Sequence, residues 1–144
     1  MRNLVPLVFR SFVFIAIASY AQPVSVESPF HVRLLPGYQQ VTGRSLDSIT
    51  GRIWKEGGLR ILVDTAGVYT DCKACGWTDG ELWRKKQVVN GREAVFVFTQ
   101  SQRLVVSFPE SHTNFYATIR DQSDMADMLL MLSTFESPRE SPGK

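Results

Sequence analysis

The two cysteines of the chain, Cys72 and Cys75, are separated by two residues in the stretch YTDCKACGWTDGELW, and they are the residues best suited to chemistry. A reactive C-x-x-C pair needs a thiol pKa that is lowered by a helix N-terminus or a nearby cation. Lys73 supplies a cation, but the glycines and Asp79 that follow favour turns, so no helix is expected to begin there. The pattern favours a disulfide that shapes a loop, and a redox-active pair is the alternative.

Other uses of the two cysteines fit less well. A covalently bound haem needs a histidine directly after the second cysteine, and this chain has Gly76 there. A structural zinc site needs about four ligands. It would have to recruit His31 and His112, the only histidines, and their spacing matches no zinc-finger pattern. We therefore expect neither a metal nor a cofactor.

A hydrolytic site could in principle be assembled from Glu110, Ser111 and His112. Residues adjacent in a chain seldom point at one another, and no G-x-S-x-G nucleophile motif is present. This segment is interpreted as a surface turn between two strands, and the sequence assigns no catalytic residue. An enzyme is the less favoured class.

The first 21 residues have the composition of a secretory signal peptide. They contain Arg2 and Arg10, no acidic residue, and an apolar run over residues 12–18 that ends in small residues. The run is too short for a transmembrane helix, which needs about 20 apolar residues. We expect cleavage before Gln22 and a secreted or periplasmic protein without a stable membrane span, with an uncleaved N-terminal anchor as the alternative.

The charge of the remaining chain argues against a nucleic-acid partner. The leader holds two of the 16 Lys and Arg residues and none of the 14 Asp and Glu residues, so the chain without it is neutral. The basic cluster Arg84-Lys85-Lys86 would alternate between the two faces of a strand. Nucleic-acid binding normally shows a concentrated basic face, which this sequence lacks.

Period-two patterns predict the strands of a single domain over residues 30–135, preceded by a flexible lead-in at 22–29 and followed by a disordered tail at 136–144. Strands are expected at 30–34, 46–55, 59–63, 103–108 and 115–120. Residues 82–89 and 92–99 flank Asn90-Gly91, a dipeptide that selects a type I′ hairpin turn and pairs Val89 with Arg92. The strand AVFVF is apolar on both sides, so we expect it to be central and covered on both faces.

A helix is predicted after residue 120, where the apolar spacing changes to 3.6 residues. Asp121 is the expected N-cap, and Met125, Met128, Leu129 and Leu132 are the expected buried positions. Met131 completes a Met-x-x-Met-x-x-Met series that could bind copper(I), but core packing explains the spacing better. Strands followed by one helix predict an α+β fold with a mostly antiparallel sheet of six or seven strands. The alternative is a small barrel with a flanking helix.

Several stretches resemble small exported bacterial proteins of uncharacterised function, and more loosely the PsbP-like group of α+β domains. They are FHVRLLPGY, GRIWKEGGLRILVDTAG, LVVSFPESHTNFYATI and DMADMLLMLSTF. The resemblance covers roughly residues 30–135 and rests on structural motifs rather than on a site. It implies an accessory or binding module and carries over no catalytic residue.

The segment from Asp64 to Gly80 is the longest predicted loop, and long loops are often functional. Within it we name Asp71, Lys73, Trp77 and Asp79 as candidate contacts to a partner protein or a small ligand, whereas Trp83 is expected in the core. The favoured hypothesis is an exported, non-enzymatic module that binds through this loop. The alternative is a thiol-disulfide protein that uses Cys72 and Cys75.

Overall fold

A computed structural model describes residues 30–44, 49–65 and 77–136 of the chain. These residues form seven strands, a short 3₁₀ turn and one α-helix. In chain order the strands are β1 (Gln39–Arg44), β2 (Ile49–Trp54), β3 (Arg60–Thr65), β4 (Glu81–Val89), β5 (Arg92–Thr99), β6 (Arg103–Phe108) and β7 (Thr113–Thr118). The 3₁₀ turn spans Pro109–Ser111, and helix α1 spans Gln122–Leu132.

The strands form one open antiparallel sheet in the order β1-β2-β3-β7-β6-β5-β4. Two groups of consecutive strands, β1–β3 and β4–β7, meet where β3 pairs with β7. The predicted α+β class with an antiparallel sheet and one C-terminal helix is confirmed. The barrel alternative is wrong, because β1 and β4 are the two edges of the sheet and do not pair with each other.

The Asn90-Gly91 turn sets the register of the hairpin as predicted. Asn90 and Gly91 both have positive φ, 49° and 77°, which a type I′ turn requires. Val89 pairs with Arg92 and the ladder continues to Glu81, with an irregularity between Glu81 and Trp83. The doubly apolar strand β5 is the second strand from an edge rather than a central one.

Helix α1 packs on one side of the sheet, which we call the helix face. Its buried residues Met128, Met131 and Leu132, together with Phe135 just after the helix, share one apolar cluster with residues from β2, β3, β5, β6 and β7. Asp121 caps the helix by accepting a hydrogen bond from the Asp124 backbone N–H at 2.9 Å, as predicted. The prediction that Leu129 is buried is wrong. Its side chain is 40% exposed, because the helix is rotated so that Met131 faces the sheet.

The segment at 30–38 also covers the helix face, but it is not the predicted strand. Phe30, Val32 and Leu34 are buried as the alternation indicated, yet His31 has a φ of 58°, which interrupts an extended backbone. Instead the segment joins the end of the helix, because the Glu136 N–H donates to the His31 carbonyl at 2.8 Å. Gly51 in β2 lies under this segment, where a Cβ would overlap the Phe30 ring and the Val41 carbonyl oxygen.

Strand β1 was not expected from the sequence, since QQVTGR shows no apolar alternation. It forms by pairing along its whole length with β2, from Gln39 opposite Trp54 to Arg44 opposite Ile49. Among the described residues, no helix combines the length and the apolar character needed to cross a bilayer. The predicted leader, the lead-in and most of the predicted tail lie outside these residues.

Candidate functional site

The opposite side of the sheet, which we call the far face, carries a second and smaller apolar cluster. Cross-strand pairing puts Leu62, Tyr116, Val105 and Val97 in one row on this face. Val95, Val97 and Val105 are buried, and Trp77 and Tyr116 pack against them. The far face is therefore apolar at its centre.

The predicted contact loop begins and ends on the far face. At its start, Asp64 belongs to β3 and pairs with Asn114 of β7. At its end, the indole of Trp77 packs on the ring of Tyr116, two residues farther along β7, with ring centroids 3.5 Å apart. Both Asp64 and Trp77 thus contact strand β7.

Of the named loop residues, Trp77 and Asp79 are described, and Cys72, Cys75, Asp71 and Lys73 lie outside the described residues. Trp77 is half-buried and Asp79 is exposed in the turn that leads to β4. The Trp77 carbonyl accepts a hydrogen bond from Arg103 Nη1 at 3.3 Å. Two independent contacts, one aromatic and one polar, therefore fix Trp77 against the sheet.

A groove of about 390 Å³ lies beside Trp77, and we call it the arginine groove. Its lining residues come from four separate parts of the chain and combine cationic with aromatic and apolar side chains: Arg60, Arg103, Arg120, Trp77, Tyr116 and Leu62. The volume falls in the usual range of small-molecule sites, about 300–1,000 Å³. No spacing in the sequence marks these residues as a group, because strand pairing between β3, β7 and β6 brings them together.

The three arginines of the groove differ in their partners. Arg120 is already engaged, since its Nε and Nη2 donate to the two oxygens of Asp124 at 2.7 and 2.8 Å. That hydrogen-bonded ion pair holds the pKa of Asp124 below its usual range and raises the pKa of Arg120. Arg60 and Arg103 have no carboxylate partner in the described part of the chain.

A second groove, of about 440 Å³, lies on the helix face between β4, β5 and α1. Its lining is largely apolar: Trp83, Phe96, Leu104, Met125 and Leu129, with Lys85 at its margin. We call it the apolar groove. The expectation that Trp83 is a core residue is wrong: it is 45% exposed, because it lies on the edge strand β4, and one side of its ring stacks on Phe98.

The remaining sequence candidates occupy surface positions. His112 is exposed at the end of the 3₁₀ turn, with a φ of 48°, as expected for a surface turn. Within the described ranges, no three His, Cys, Asp or Glu side chains come together in a way that could hold a metal ion. Arg84 and Lys86 lie on the far face and Lys85 on the helix face, so the basic cluster is divided as predicted.

Comparison of the chain with protein-family models, with curated proteins and with solved structures found no match. The resemblance to PsbP-like domains therefore stays a prediction from the sequence.

Proposed function

We propose that the protein is an exported, non-enzymatic binding module that holds a small ligand in the arginine groove, at the Trp77 end of the 64–80 loop. The observation that supports it most directly is the position of Trp77. Its ring packs on Tyr116 and its carbonyl is bound by Arg103, so a loop residue is fixed at the margin of a groove of ligand size.

The chemistry of the groove favours binding over catalysis. Guanidinium groups stay protonated and have donors but no acceptor, so they can hold an anion but cannot act as a general base. Aromatic rings add contact area with few rotatable bonds, which lowers the entropy lost on binding. Together these groups recognise a ligand without any need to transform it.

The Trp77 side chain provides the test of binding. Saturation-transfer NMR with a fragment library that holds anionic, neutral and cationic compounds in equal numbers should give hits with the wild-type protein. We expect most hits to be lost with Trp77→Ala, because the variant removes an indole that lines the groove. They should be retained with the matched control Trp83→Ala, which alters the apolar groove on the other face.

A library without hits, or hits that are lost only with Trp83→Ala, would contradict the proposed site. The second result would move ligand binding to the apolar groove. Circular dichroism spectra of both variants establish that each has kept the wild-type fold.

Export forms the other part of the proposal, and it is supported by the composition of residues 1–21. Mass spectrometry of the protein secreted by a bacterial host, with and without alkylation, tests it. We expect a chain that begins at Gln22 with Cys72 and Cys75 unreactive, because an exported pair is oxidised to a disulfide. A full-length chain in the cytosol with two alkylated cysteines would oppose this result.

A further inference from the structure

The arginine groove combines two kinds of recognition chemistry, and the sheet register explains how. Arg103 of β6 pairs directly with Thr118 of β7. On the other side of β7, the pairing with β3 ends at Leu62 and Tyr116, two residues before Arg60 and Thr118. Neighbouring strands are about 4.8 Å apart, so the same register continued by two residues would put the Cα atoms of the two arginines about 10 Å apart across Thr118, and both side chains line the groove. Side chains of this length can reach one group bound between them.

The two cations are also available to a ligand. Arg60 is exposed, and no carboxylate of the described ranges pairs with it. The Arg103 guanidinium donates from Nη1 to the Trp77 carbonyl and has further N–H donors for other acceptors. Two like charges that line one groove repel each other, and a bound anion would offset that repulsion with two attractive contacts.

The other side of the groove is aromatic and apolar. Trp77 and Tyr116 form a packed pair, and Leu62 lies beside them in the same row of the far face. A flat ring gains contact area on such a surface, and aromatic pairs add a favourable interaction beyond the area that they bury. An inorganic anion would leave this half of the groove unused.

We infer that the arginine groove binds a small anionic aromatic molecule, with its oxyanion held between Arg60 and Arg103 and its ring against Trp77 and Tyr116. This inference rests on the proposed binding function and names the class of its ligand. A carboxylate and a phosphate ester share the required chemistry, because arginine forms paired hydrogen bonds with both.

Isothermal titration with four defined probes tests the inference. Indole-3-acetate and phenyl phosphate carry both features, whereas acetate lacks the ring and tryptamine has the indole ring with a positive charge. We expect the wild-type protein to bind at least one of the first two, and about tenfold or more tighter than either acetate or tryptamine. Whichever of the two aromatic anions binds more tightly shows whether the groove prefers a carboxylate or a phosphate ester.

Arg60→Gln is the decisive variant, because the residue is exposed and its replacement leaves the apolar packing intact. It should weaken binding of the stronger anion about tenfold, since it removes one charge-assisted hydrogen bond. The matched control is Arg52→Gln, which removes an exposed arginine opposite Leu62 on the same face but outside the groove. The control should bind within about twofold of wild type.

Tryptamine binding as tight as that of the anions, or equal losses with Arg60→Gln and Arg52→Gln, would overturn the inference. So would the absence of binding by both aromatic anions. If neutral fragments then still bind in a Trp77-dependent way, only the ligand class is wrong and the binding function stands. If no fragment binds in that way, both fail.

Discussion

Phe135→Ala is expected to lower the free energy of unfolding by about 3–5 kcal/mol. Phe135 follows helix α1 and is fully buried. Its ring stacks on Phe108 at a centroid distance of 4.0 Å and meets the edge of Phe115 at 5.7 Å. Its carbonyl accepts a hydrogen bond from Asn90 Nδ2 at 3.0 Å, which joins the β4–β5 turn to the end of the helix.

Urea unfolding followed by circular dichroism measures this loss, with Leu130→Ala as the control. Leu130 lies in the helix with more than half of its surface exposed, so its truncation should change stability by less than about 0.5 kcal/mol. If Phe135→Ala does not fold, the milder Phe135→Leu should remain folded with a smaller loss. A loss below about 1 kcal/mol for Phe135→Ala would show that the helix end is not anchored in the core.

Asp124→Asn should lower the free energy of unfolding by about 2 kcal/mol at neutral pH, because the neutral amide has only one acceptor oxygen and so loses the ion pair and one of the two guanidinium hydrogen bonds. Asp124 is buried at the start of the helix. Besides the guanidinium, it accepts the Arg120 backbone N–H at 3.1 Å. The carboxylate therefore joins the end of β7 to the first turn of α1.

The pH dependence of that difference follows from the pKa of Asp124, which the hydrogen bonds from Arg120 hold below its ordinary value of 3.8. A carboxyl whose pKa is lower in the folded state contributes its full stability above the unfolded pKa, and loses it as the pH falls through the folded one. The difference in the free energy of unfolding between wild type and Asp124→Asn should thus be constant from pH 7 to about 5 and shrink as the pH approaches 2.

Urea unfolding at several pH values measures the gap, and Asp79→Asn serves as the control because it replaces an exposed carboxylate in a turn. The control should stay close to wild type throughout. A gap between wild type and Asp124→Asn that is unchanged at pH 2 would contradict the assignment of an ionised Asp124 to this pair.

Local signals explain the parts of the fold that the sequence predicted well. Asn90-Gly91 allows positive φ at both turn positions, and this alone fixes which residues of β4 and β5 face the same side. Asp121 caps the helix because its side chain reaches an N–H three residues ahead. In each case the interacting groups are neighbours in the chain.

Predictions failed where distant contacts decide the structure. Strand β1 is made of polar residues and forms because β2 offers it a complete ladder of hydrogen-bond partners. Residues 30–34 alternate like a strand, but they pack against the helix end instead of pairing along a neighbour. Trp83 has a large apolar side chain of the kind usually found in a core. It lies on the edge strand β4, however, and this position leaves much of the Trp83 ring exposed.

The candidate site could be predicted only in part. The sequence named Trp77 as a contact residue from the length of its loop, and the structure places Trp77 at the groove. It gave no sign of Arg60 and Arg103, which are 43 positions apart in the chain and separated by one strand in the sheet. Their proximity depends on the pairing of β7 with both β3 and β6, which no local pattern encodes.

We propose that this protein holds its ligand on the far face, at the arginine groove. Chemical-shift mapping by two-dimensional NMR during a titration with indole-3-acetate locates the bound ligand, because each residue reports separately. We predict the largest changes at Trp77, Tyr116 and Arg60, with little change at Trp83 and Leu129 in the apolar groove. Changes that centre on Trp83 and Leu129 would contradict the claim and place binding on the helix face.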